Sequence, residues 1–246
     1  ELPTLTYQGK RYNTLGHQQA TIGITNVYES DLPWPPETKI KWVRGLQLIP
    51  YPWHSPFRGQ PRIGPWGDVS ARAVLGTVPV EEDGSAYFEA PVGKAIYFQA
   101  LDENGMAVQS MRSCTYVHPG ENLVCVGCHE NRTRAPTRNQ VPMAFKRPPS
   151  KLVPNLQDGS CPLTYARLVE PVLENKCYPC HEEKKKPRPN LEEFRFFFNG
   201  TGGDAGLDDV HGGYRTIPGK FGALRSGIAQ ILLKKHHREA LSMEEI

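Results

Sequence analysis

Twice in this chain two cysteines bracket two residues and a histidine follows at once. The segments are Cys125-Val126-Gly127-Cys128-His129 and Cys177-Tyr178-Pro179-Cys180-His181. Nothing else in the sequence constrains the fold as much. Cys-x-x-Cys-His is the attachment signature of haem c. The two thiols add to the two vinyl groups of one haem, and the adjacent histidine comes under the iron as an axial ligand. Random placement of this composition would produce two such motifs on the order of once in 100,000 chains. A four-cysteine zinc site usually separates its pairs by ~15–20 residues. Here about fifty residues lie between them, and a zinc site would leave both histidines unexplained. A thioredoxin-like motif would need a surrounding strand–helix pattern that is not seen. Two covalent haem c groups are therefore expected, at Cys125, Cys128 and His129 and at Cys177, Cys180 and His181.

Haem c is attached on the outer side of the bacterial cytoplasmic membrane, so the chain is expected to be periplasmic or extracellular. It opens with Glu1-Leu2-Pro3 rather than Met and reads as a processed or trimmed product. Cys114 and Cys161 remain outside the two motifs. In an oxidising compartment such a leftover pair is expected to form a disulfide.

The rest of the composition suits a chain that borrows apolar surface from a cofactor. Gly and Pro number 23 each among 246 residues, which predicts short strands and many loops. Mean hydropathy is −0.51, and no apolar run approaches the ~20 residues of a membrane span. The formal net charge is +3. Its short basic runs, 184–186 and 234–238, read as solvated faces rather than a nucleic-acid surface.

Four segments follow along the chain. Residues 1–22 are polar and aperiodic and read as an N-terminal arm. Residues 23–113 read as a β-sandwich-like domain, with strands expected at 24–28, 40–48, 73–80, 86–90, 96–101 and 107–110. Turns are expected at Glu82-Asp83-Gly84-Ser85, as a hairpin, and at Asp102-Glu103-Asn104-Gly105. Residues 114–160 form a Pro- and Arg-rich, irregular first haem-binding segment. Residues 161–246 form a small, mostly helical cytochrome c-like domain with the second haem. There Tyr165, Leu168, Val169, Val172 and Leu173 share one helical face, Pro171 kinks or restarts that helix, and further helices are expected at 224–235 and from Ser242. The fold class is α+β.

The string Val78-Pro79-Val80-Glu81, Asp83-Gly84-Ser85-Ala86-Tyr87-Phe88, Tyr97-Phe98-Gln99-Ala100-Leu101-Asp102, Met111-Arg112-Ser113 and Pro119-Gly120-Glu121 precedes the first motif. Together with that motif it resembles the middle and C-terminal domains of the hydrazine synthase alpha subunit family. Leu168-Val169-Glu170-Pro171-Val172-Leu173 before Cys177 resembles a planctomycete-type cytochrome c domain, and Pro218-Gly219-Lys220-Phe221-Gly222-Ala223 with His236-His237 fits the same C-terminal domain. Relatives often carry an N-terminal β-propeller and continue past the position of Ile246. In the hydrazine-forming enzyme the middle-domain haem is catalytic, and a tyrosine a few residues after its motif ligates the iron. Here Glu130-Asn131-Arg132-Thr133 follow His129, and the next tyrosine is Tyr165.

The sixth ligands decide between carrier and enzyme, since a saturated iron transfers electrons and an open one binds substrate. His236 is the favoured partner of His181, with His211 next. For the first haem the candidates are His118 and His54, with Met143 behind them, or an open iron. The leading expectation is a dihaem c-type cytochrome passing electrons between redox partner proteins, such as other cytochromes, outside the cytoplasm. The alternatives are a haem enzyme of hydrazine synthase-like small nitrogen-compound redox chemistry with an open first haem, and a structural cytochrome subunit of a larger assembly or filament. A homo- or hetero-oligomer fits any of these; a nucleic acid does not.

Overall fold

Alternation decides the first half of the chain. In Ala86–Pro91 every second residue is buried, and Ile96–Leu101 is buried almost throughout, as expected of strands that face a core on one side or on both. The computed structural model describes residues 6–7, 10–11, 19–48, 72–111, 114–128, 140–153, 165–186 and 217–225. The expected helices beyond 225 lie outside them.

Nine strands are found among these residues. They are β1 (Thr6–Tyr7), β2 (Lys10–Arg11), β3 (Gln19–Ile24), β4 (Trp42–Leu48), β5 (Arg72–Pro79), β6 (Ala86–Pro91), β7 (Ile96–Leu101), β8 (Ala107–Ser110) and β9 (Asn122–Cys125). β1 and β2 pair with each other; the others form a three-stranded sheet, β6-β3-β9, and a four-stranded sheet, β5-β4-β7-β8. Ile22, Ile24, Ala86, Phe88 and Ala90 of the first sheet meet Val43, Val78, Ile96, Phe98, Ala100 and Val108 of the second in one buried cluster. At its centre the Phe88 and Phe98 rings meet edge to face, 5.4 Å apart, an arrangement that adds to the area they bury. The β-rich architecture expected of 23–113 is present.

Four details differ from the sequence reading. Gln19–Ile24 is a strand, so residues 19–22, read as part of an arm, supply the buried Ala20 and Ile22. The strand expected at 24–28 has only Ile24 in extended pairing, as the end of β3, and residues 25–28 turn, because Asn26 Oδ1 accepts the Tyr28 amide and Val27 N donates to Gly84 O. β5 and β6 do not form a hairpin across residues 82–85; β6 pairs with β3 in the other sheet, and the turn carries the chain between layers. The first haem-binding segment is not simply irregular. It contributes β9, and its residues 147–153 run along both sheets, with Ser150 bridging Phe88 and Val153 bridging Thr77.

The helices are short. α1 (Tyr165–Leu168) stops at Val169, and α2 (Glu170–Lys176) restarts with Pro171 in its first turn, where the missing N–H costs nothing. α3 (Tyr178–Glu183) follows directly, and α4 (Gly222–Arg225) comes later. A 3₁₀ turn, Met143–Lys146, lies on β6.

Candidate functional site

The first motif is held by a strand about a hundred residues earlier. β9 runs parallel to β3, placing Cys125 opposite Ile24. Past the end of the pairing the chains stay locked. Thr25 N donates to Cys125 O at 2.9 Å, and Asn26 N and Thr25 Oγ1 both donate to Val126 O, at 3.2 and 2.5 Å. Cys128 N donates to Glu29 O at 3.0 Å. The turn between the cysteines therefore lies against segment 25–29. Gly127 makes this possible: a Cβ there would collide with the Glu29 carbonyl oxygen and lie 2.6 Å from Glu29 Cβ. Both cysteines are half-buried and pack against the core, as do the rings of Tyr28 and Trp34. Those rings stand edge to face at 5.8 Å, with Trp34 Nε1 donating to Tyr28 O and Ile40 N donating to the Tyr28 hydroxyl. Thr25, Asn26 and Glu29 escaped the sequence reading because nothing local ties them to residue 125. Gly127, inside the motif, was the available signal.

The second motif is helical. Cys177 N donates to Leu173 O and His181 N to Cys177 O, so the helical path continues through residue 177. At this spacing Cys177, Cys180 and His181 fall at i, i+3 and i+4, on one face. Burial, and secondarily the neighbouring Cys180, raises the Cys177 pKa above its ordinary value, so Cys177 is a thiol at neutral pH. Cys180 is exposed. In the cofactor-free chain iodoacetamide should therefore alkylate Cys180 well before Cys177 at pH 8, because the thiolate is the nucleophile. Peptide mass mapping over time checks this, and equal rates would contradict the placement.

The candidate axial ligands separate. His118 is exposed, its ring edge to face with Tyr116 at 5.1 Å and its amide donating to Glu121 Oε2 at 2.7 Å. It precedes β9, while Cys125 ends that strand, roughly 10 Å further on at ~3.3 Å per residue. The structure does not bring it beside the cysteine turn. Met143 lies on the 3₁₀ turn anchored to Asp83 and Ser85, at the end of the sheet where Ala86, Ile24 and Cys125 align. His129, His236, His211 and His54 lie outside the described residues. Cys114 stands as an exposed free thiol. The adjacent Thr115 is tied to Ile96 by two backbone bonds, and the disulfide expected between Cys114 and Cys161 falls partly outside the described residues.

Among the described residues no three Cys, His, Asp or Glu side chains gather as a metal site. What the two cysteine pairs offer is two separate dithiols, each partly accessible, one on a sheet edge and one on a helix face. Both fit covalent attachment of a planar group through thioethers. No described helix is long and apolar enough to cross a membrane.

This arrangement, a two-sheet domain whose edge strand runs into a Cys-x-x-Cys turn, falls in a region with known relatives. Residues 53–130 match the family described as hydrazine synthase alpha subunit middle domain. Among individual proteins, 58 residues are 36% identical to hydrazine synthase subunit alpha of Kuenenia stuttgartiensis, covering 24% of this chain and 7% of that protein. The fold is similar to a solved chain of Kuenenia stuttgartiensis hydrazine synthase, with a TM-score of 0.55 and 22% identity over 76% of this chain and 33% of that one.

Proposed function

We propose that this chain is a haem c protein of the hydrazine synthase-like kind, performing redox chemistry on small nitrogen compounds outside the cytoplasm. One haem would be held by Cys125, Cys128 and His129, and a second by Cys177, Cys180 and His181. The observation that carries the reading is the 125–128 turn, built into the sheet at the end of the region that matches the hydrazine synthase middle domain. That match favours the catalytic alternative over the plain electron carrier expected first. The relative is named as a subunit, which supports a place for this chain in a larger assembly.

A haem at the first site supplies an iron that changes by one electron and can take a small ligand. The chain's own contribution is position. Segment 25–29 holds the backbone of the cysteine turn through four hydrogen bonds, and the Tyr28 and Trp34 rings pack on the same core. At the second site the helix presents both thiols and His181 together, suiting a group that relays electrons.

Intact mass after acid–acetone extraction should exceed the polypeptide mass by two haems. Carbon monoxide added to the reduced protein should shift the Soret band of the first haem. An unshifted mass would remove the haem reading. A doubly loaded protein indifferent to carbon monoxide would return the chain to the carrier class.

A further inference from the structure

α3 ends in a way that costs conformational energy. Lys186 N donates to His181 O at 2.8 Å and Lys185 N donates to Glu182 O at 3.1 Å. This is the paired-bond terminus in which the residue after the cap is left-handed. Here that residue is Lys185, at φ 51. Glycine takes this conformation without penalty, whereas lysine brings a Cβ into it. A strained residue directs attention to what its side chain does.

The side chains concerned are all cationic. Lys184, Lys185 and Lys186 are exposed, and none is drawn into an ion pair among the described residues. Lys184 is the seventh residue after Cys177, so it continues the face formed by Cys177, Cys180 and His181. Glu182 and Glu183 precede it but project off that face by the same periodicity. The lysines also sit at a helix C-terminus, where the peptide dipoles favour positive charge. The fold thus places three exposed lysines within about a turn after His181, with a left-handed backbone at the middle one.

We infer that Lys184, Lys185 and Lys186 form the docking surface for an acidic electron-transfer protein that exchanges electrons at the second site; the inference rests on the proposed haem there. One electron leaves the partner's reduced centre and takes the haem iron from ferric to ferrous. No bond is made or broken, and no proton need move. The lysines raise the encounter rate by steering, an effect that salt removes.

The test uses the full haem-loaded chain and a reduced, small acidic ferredoxin as the probe, mixed by stopped flow at rising salt. The wild-type rate should fall steeply with ionic strength. K184Q/K186Q should react about tenfold more slowly at low salt, with a flatter salt dependence. K185G should melt at a higher temperature, since it relaxes the cap, yet react a few-fold more slowly. In C177S/C180S the salt-sensitive phase should disappear, which assigns it to the second site. Unchanged rates and salt slopes in K184Q/K186Q would overturn the docking surface while leaving the haem intact. A mass lacking the second haem would overturn the site itself, and this surface with it, before any rate is read.

Discussion

Replacing Gly127 with valine should abolish haem loading at the first site and leave the second loaded. The added side chain cannot be absorbed by a rotamer change, because the atoms it meets are the Glu29 and Asn26 carbonyl oxygens as well as Glu29 Cβ. The turn must move, and moving it breaks the bond from Cys128 N to Glu29 O and strains those from Thr25 and Asn26 to Cys125 and Val126. Each net hydrogen bond is worth about 1 kcal/mol, and a buried carbonyl left unpaired costs ~1–3 kcal/mol. The sum is large beside the stability of a small domain. Peptide mapping should find one haem, on the peptide carrying 177–181. A Gly127→Val protein carrying both haems in full would show that segment 25–29 does not govern the site.

Replacing Gly76 with valine should lower global stability by ~3 kcal/mol or more, with no direct effect on either motif. Gly76 has φ 141, a conformation that L side chains rarely adopt, and a Cβ there would lie 2.6 Å from the Val153 backbone. Two mechanisms therefore add, backbone strain and a steric clash with main chain. The clash falls where Thr77 and Val153 exchange two hydrogen bonds, at 2.9 and 3.3 Å, so the segment that ties the two sheets together should lift off. Urea unfolding followed by tryptophan fluorescence measures the loss. A change under 1 kcal/mol would mean that the 147–153 segment adds little to the fold.

Strands with strong local signals were readable from the sequence. Tyr87 and Phe88 between two turns, and Ile96 to Ala100, alternate cleanly or stay apolar, and Asn104-Gly105 closes a true hairpin between β7 and β8. Pro171 marked the helix restart because a missing N–H acts locally. β9 was not readable: four residues pairing in parallel with a strand about a hundred residues away leave no local trace, and Pro119-Gly120 before them suggests only a loop. β3 was hidden by Gln19, Thr21 and Gly23 on its outer face. The Asp83-Gly84-Ser85 turn was correctly placed, but a turn's residues do not reveal whether its flanking strands pair with each other or with different sheets. At the candidate site, the expectation for the cysteines and histidines rests on spacing alone. Their supports at Thr25, Asn26 and Glu29 were not readable, since they are contributed by tertiary structure.

The different mountings of the two motifs imply different moments of assembly. The second lies on consecutive helical turns, and such local structure forms in about a microsecond. The first exists as a shaped turn only once β9 has found β3, a closure spanning about a hundred residues whose entropy must be met before its contacts form. One nascent chain thus presents two nearly identical five-residue signals on separate clocks. A group joined to the first before that closure would travel on one of the last strands to dock, and the sandwich would have to shut around its passenger.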